Sequence, residues 1–186
     1  MDPEEVLMES EDKMDKTVDS LQKSLQTIRT GRASPMLVDR IKVDSYGVKT
    51  ALKGVATISV PEPRVLAIQP WDRSIIGAIE KAILASDLGI TPANDGNVIR
   101  LNMPDMTEER RRDMVKVAKS RGEESKVGIR NTRRDCNNTL KKLVKDKTVT
   151  EDDNKEYQKQ IQDATDASIV KIDALVTNKE KDIMEI

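Results

Sequence analysis

Some forty residues, Thr107 to Lys147, run without a proline and carry fourteen Lys/Arg against seven Asp/Glu. Small and apolar side chains recur through them at steps of three and four: Val115, Ala118, Gly122, Ser125, Ile129, Thr132, Cys136, Thr139 or Leu140, and Leu143. A heptad seam of this length predicts one helix roughly 60 Å long, which suits an elongated bundle better than a compact globule. Gly122, Ser125 and Thr132 keep the middle of the seam small, so a partner backbone can approach closely while little apolar area is buried.

One step around the helix from that seam lie Arg112, Lys116, Lys119, Lys126, Arg130 and Arg133, interrupted by Glu123. Two readings fit such a row. It is a solvated side whose stems cover the seam and whose heads pair with acidic neighbours, or it is a polyanion track, where regularly spaced cations release counterions from phosphates. Guanidinium serves the second use best, being permanently charged and able to fork onto phosphate.

The flanking text is helical and acidic. Residues 1–30 hold four basic and eight acidic side chains, and residues 148–186 hold five and ten. A basic helix between two acidic ones predicts mutual attraction, which also engages some of the cations within the molecule. Leu7, Met14, Val18, Leu21, Leu25 and Ile28 form a seam from about Glu4 to Thr30, with Glu11 in the one missing place; Pro3 and the acidic Asp2, Glu4 and Glu5 suit its start. After Thr148-Val149-Thr150, a third helix opens at Glu151 and runs to the C-terminus, with Tyr157, Ile161, Ala164, Ser168, Ile172, Leu175 and Ile183 on its seam and Lys179 as an exception. So short a connector makes the second and third helices antiparallel neighbours.

Between Arg32 and Asp105 the period changes to two. Short β-branched segments at 41–45, 48–52, 56–60, 65–68 and 98–103 predict strands, broken at Pro61 and Pro63, and a helix from Ile75 to about Ala85 is predicted with Ser74 as its cap. The fold expected is therefore α+β: a long three-helix bundle from 1–30 plus 107–186, with a small β/α/β domain, 31–106, inserted into it. Two crossings, at Thr30-Gly31 and Pro104-Asp105, make a natural hinge.

Composition removes several chemistries. No histidine occurs and Cys136 is the single cysteine, so Ser-His-Asp and Cys-His nucleophiles, His-containing zinc sites and an internal disulfide are excluded. Cys136 lies on the seam and reads as a small buried hydrophobe. Asp152-Asp153 reads as a helix start rather than a metal pair, the glycines form no phosphate-binding loop, and Trp71 reads as core or rim of the small domain. No cofactor is expected. No apolar run reaches membrane-spanning length and no signal peptide is visible, so a soluble, cytoplasmic protein is expected, or an organellar one after removal of a transit peptide.

Several longer motifs carry a resemblance. Ser-Leu-Gln-Thr-Ile-Arg-Thr-Gly-Arg-Ala-Ser-Pro (24–35), Trp-Asp-Arg-Ser (71–74), Ala-Ile-Glu-Lys-Ala-Ile-Leu-Ala-Ser-Asp-Leu-Gly (78–89), Thr-Glu-Glu-Arg-Arg (107–111) and Ile-Arg-Asn-Thr-Arg-Arg-Asp (129–135) resemble the bacterial and organellar ribosome recycling factors. The resemblance implies an L-shaped, tRNA-like monomer with a mobile inserted domain, and not an enzyme. It implies binding across the subunit interface of the post-termination ribosome, mainly to large-subunit ribosomal RNA. With elongation factor G and GTP hydrolysis by that partner, such a factor separates the subunits and releases mRNA and tRNA. On these motifs Arg29, Arg32, Arg111 and Arg134 join Lys116, Lys119, Lys126, Arg130 and Arg133 as expected RNA-facing residues, and Thr30, Gly31, Pro104 and Asp105 as the hinge. The competing reading is a coiled-coil protein that pairs through exposed seams.

Overall fold

A computed structural model describes residues 2–185. The chain divides into two compact units, Met1–Thr30 with Glu108–Ile186, and Gly31–Thr107.

The first unit holds three helices. Helix α1, Pro3–Gln26, starts with a reciprocal cap: the Asp2 carboxylate accepts from the Glu4 N–H at 3.2 Å, and the Glu5 carboxylate accepts from the Asp2 N–H at 3.3 Å. The long basic helix, Glu108–Lys145, and the C-terminal helix, Glu151–Met184, are joined by a tight turn. In that turn the N–H groups of Thr148 and Val149 both donate to the Leu143 carbonyl, and Lys147 adopts φ 57°. The Thr150 hydroxyl then caps the new helix by accepting from the Asp153 N–H at 3.1 Å. The turn makes these two helices antiparallel. The first helix runs parallel to the C-terminal one, since Glu4 faces Tyr157 and Asp15 pairs with Lys171.

Met14, Leu21, Leu25, Ile129, Leu140, Ile161 and Ile172 lie in one continuous core. The seam of α1 differs from the expectation near its start. Val6 and Ser10 are the buried residues there, while Leu7 is half-buried and Glu11 exposed. Stepping back from Met14 by fours reaches Ser10 and Val6, and serine is small enough to be buried because its hydroxyl donates to the Val6 carbonyl at 2.8 Å.

In the second unit, β1 (Lys42–Ser45) and β2 (Val48–Ala51) form a hairpin closed by Tyr46 and Gly47, both at positive φ. A separate antiparallel sheet has the order β3–β4–β6–β5, built from Ala56–Glu62, Val65–Pro70, Ile99–Asn102 and the two-residue Ala93–Asn94. Alternation places Leu66, Ile68, Ile99 and Leu101 inward, against Ile79 and Ile83 of helix α2, Ile76–Ala85. Strand β3 runs through Pro61 to Glu62 instead of breaking there: it is the edge strand, where a missing N–H is tolerated, and its register shifts between Ser59 and Glu62.

Asp72, not Ser74, caps the helical turn that leads into α2. Its carboxylate accepts from the Ser74 N–H at 3.0 Å and the Ser74 hydroxyl at 2.8 Å, and from the Tyr46 phenol as well. The Tyr46 bond first, and the Ser74 bonds after it, hold the Asp72 carboxyl below the usual carboxylate value. One side chain thus ties the hairpin tip to the corner before α2.

Helix α3 (Glu108–Lys145) packs tightly on α4 (Glu151–Met184) at Gly122. A Cβ there would stand 2.5 Å from Cγ2 of Val176, whereas one at Gly128 would meet Thr17 at an ordinary 3.6 Å. Gly128→Ala is therefore expected to stabilise by about 0.5–1 kcal/mol through helix propensity. Gly122→Ala is expected to fall at least about 1–2 kcal/mol below it through overpacking, as read by denaturant unfolding of the two variants side by side.

Candidate nucleic-acid interface

Helix α3 buries Ala118, Gly122, Ile129, Cys136, Leu140 and Leu143, and this line fixes where every cation on the helix points. At 100° per residue, side chains roughly 40–80° from the line still reach α4, and those beyond about 100° face solvent. The charged residues divide accordingly.

Three expected RNA-facing residues are turned inward. Arg111 is 8% exposed, with Nη1 donating to the Met184 carbonyl at 3.5 Å and Nε without a hydrogen-bond partner among the described residues. It occupies the seam one step before Val115, and its cation lies at the C-terminal end of α4, where the helix dipole favours it. Lys126 keeps only 17% of its side chain exposed, between Asp173 at 2.6 Å and Glu123 at 3.3 Å; the Asp173 bond pushes its ammonium pKa above the usual lysine value. Arg133 is half-buried and donates to Gln162 at 2.8 Å, which in turn donates to Asp166. Lys119 faces Glu180 at 3.9 Å. These four side chains bind α3 to its acidic neighbour, so the row beside the seam is partly an interhelical one.

Lys116, Arg130 and Arg134 are exposed and make no side-chain hydrogen bond or ion pair among the described residues. Lys141 and Lys145, which the row beside the seam omits, share these properties. By helical geometry Lys116, Arg130, Arg134, Lys141 and Lys145 occupy an arc of about 60°, and the last four extend along about 22 Å. The signal was present in the spacing 130, 134, 141, 145, but two steps around from the seam rather than one.

Arg29 and Arg32 are exposed near the end of α1. Gly31 needs its glycine, with φ +78°. Pro104 and Asp105 are exposed, yet Asp105 pairs with Arg64, whose guanidinium also donates to the Met103 carbonyl at 3.4 Å. That segment is held by the small unit, and the boundary falls after Thr107.

Cys136 packs in the core beside Ser10, and burial pushes its thiol up. Trp71 is a rim residue, 67% exposed, with its indole N–H donating to the Thr57 hydroxyl at 2.8 Å. Among the described residues no helix is long and apolar enough to cross a membrane.

Three long helices and a small unit with two antiparallel sheets and one helix define an α+β protein. The ribosome recycling factor family model matches residues 21–184, and the chain belongs to that family. It is 52% identical over 182 residues to the ribosome-recycling factor of Geobacillus thermodenitrificans, covering 98% of each chain. It is 50% identical over 186 residues to that of Nitratidesulfovibrio vulgaris, covering both chains completely. A solution structure of a ribosome recycling factor superposes with TM-score 0.80 at 39% identity, covering 100% of this chain and 99% of that one. A chain from models of the T. thermophilus factor and E. coli elongation factor G bound to the E. coli post-termination complex gives 0.66 at 42% identity, covering both chains fully.

Burial decides between structural and surface cations. Arg111→Gln is expected to cost about 1–3 kcal/mol, through a lost bond and a buried polar remnant, and to speed amide exchange at the end of α4. Arg130→Gln is expected to stay within about 0.5 kcal/mol of the parent. Denaturant unfolding and hydrogen exchange measure both.

Proposed function

We propose that this protein binds the cytoplasmic ribosome after termination as a monomer and, with elongation factor G and GTP hydrolysis by that factor, separates the subunits and frees mRNA and tRNA. It acts as a mechanical binding factor rather than as an enzyme. Family membership supports the setting. The observation that carries the binding mode is the pair Arg130 and Arg134, exposed and without a side-chain partner among the described residues, on a face that continues to Lys141 and Lys145.

Cations so arranged contact phosphates of folded large-subunit ribosomal RNA. They supply placement, and the fold of the RNA supplies selectivity. Lys116 extends the face towards the start of α3, Arg29 and Arg32 add charge near the chain crossing, and Arg133 contributes from the edge while Gln162 holds it. Lys119 and Lys126 act mainly by binding α4. Arg111 has no part in the contact, being buried.

In this reading residues 1–30 with 107–186 form the stiff RNA-binding body and 31–106 the part the motor moves. The hinge acts at Thr30-Gly31 on one crossing and, because Asp105 is tied to Arg64, beyond Pro104-Asp105 on the other. The buried seams of α1, α3 and α4 favour a monomer, since each is already occupied within the bundle.

The test is separation of post-termination ribosomes by elongation factor G and GTP with the parent chain and with Arg130→Glu/Arg134→Glu. Parent-dependent separation that the double variant lacks is the expected outcome. The logarithm of ribosome affinity against the logarithm of salt should lose about one unit of slope for each cation neutralised to Ala. An unchanged slope would remove these residues from the RNA contact, and a parent chain without activity would sink the recycling role.

A further inference from the structure

The basic face leaves the opposite side of the bundle unexplained. There α1 and α4 run parallel, and near their starts they enclose a groove of about 440 Å³. Its floor is apolar: Leu7 and Tyr157 are half-buried, and Met8 is 66% exposed, among the most exposed of the large hydrophobic side chains. Its walls carry Glu4, Glu11, Asp153 and Glu156, none of which forms an ion pair among the described residues. Helix dipoles account for Glu4 and Asp153, each in a first turn. Glu11 and Glu156 lie beyond reach of that effect, and they flank exposed apolar surface without a counter-ion. Carboxylates elsewhere on these helices are mixed in this respect: Asp12 has Lys16 at 2.6 Å, while Asp19 and Asp163 have no ion pair among the described residues. The crowding is felt inside the groove: burial, and after it Glu4, Asp153 and Asp2, push the Tyr157 phenol above its ordinary value.

An apolar floor between unneutralised carboxylates complements a cationic peptide with an apolar side chain, and it repels phosphate. A ribosome offers this protein two chemistries, RNA phosphate and the basic proteins bound to it. We infer that the groove between α1 and α4 is a docking surface for a lysine- and arginine-rich segment of a ribosomal protein, with an apolar side chain of that segment packed on Met8. The inference rests on the ribosome-binding reading proposed above. It gives the bundle two contacts of opposite sign, RNA on α3 and basic protein on α1 and α4.

Photo-cross-linking tests it directly. The full chain is made with a benzophenone amino acid at Met8 and, separately, at Val127, an exposed residue beside the α3 cations. Both are bound to post-termination ribosomes and irradiated, and the adducts are identified by mass spectrometry. The Met8 probe should join a Lys/Arg-rich segment of a ribosomal protein, and the Val127 probe should join RNA. A Met8 adduct to RNA, or no Met8 adduct where Val127 gives one, overturns the inference while leaving the recycling role intact. Failure of the unmodified chain to bind ribosomes overturns both.

The sign of a charge change gives a second readout. Glu11→Lys/Glu156→Lys, both at exposed positions and checked for native helicity, should weaken ribosome binding about tenfold if the groove meets cationic protein. The same substitutions should tighten binding if that face lies on RNA, and should do nothing if it faces solvent; either result refutes the proposal. Glu11→Gln/Glu156→Gln should weaken binding in the same direction by less.

Discussion

The contact between Gly122 and Val176 sets the separation of α3 and α4, and much of the bundle follows from it. A long charged helix has little intrinsic reason to be straight or stable, and its helicity comes from burying one narrow line of side chains. Because that line is small at Gly122 and Ala118, the two backbones come close. Side chains just beside it are then within reach of the partner helix. Lys126 meets Asp173, Arg133 meets Gln162 and Lys119 faces Glu180 for this reason. On the other flank Arg121 donates from one nitrogen to the Ser24 carbonyl at 2.7 Å and to the hydroxyls of Ser24 and Thr27 at 3.1 Å, closing the end of α1.

The charges on α3 therefore divide by angle. Those near the seam hold the bundle together, where partial burial makes an ion pair less sensitive to salt. Those farther around keep their charge for whatever approaches from outside. The row beside the seam is thus split: Lys119, Lys126 and Arg133 turn to α4, while Lys116 and Arg130 face outward together with Arg134, Lys141 and Lys145.

The class of fold was legible because long seams and period-two segments are strong signals, and the motif at 129–135 pointed to the family now matched from 21 to 184. What was less legible depended on tertiary detail. Val6 and Ser10 replaced Leu7 and Glu11 in the core because a serine can satisfy its own hydroxyl, which polarity alone hides. Asp72 caps the corner before α2 because the helical path begins at Arg73, two residues ahead of the apolar period. Arg111 looked like a surface cation by type and proved to be a seam residue by position. Lys141 and Lys145 fall outside a row set one residue from the seam because they lie farther around the helix, where side chains are exposed.

Inserting the small unit between α1 and α3 also orders the birth of the molecule. Residues 31–107 are contiguous and close their own core, so they can fold as soon as they have emerged during synthesis. Helix α1 leaves first and yet has nothing to pack on until α3 and α4 follow, with the intervening chain to be closed as a loop. Its apolar stripe, from Val6 through Leu25, stays uncovered through most of translation. The eight carboxylates among the first thirty residues outnumber the four cations there, and a charge excess of that kind opposes aggregation of a segment whose apolar stripe is still uncovered.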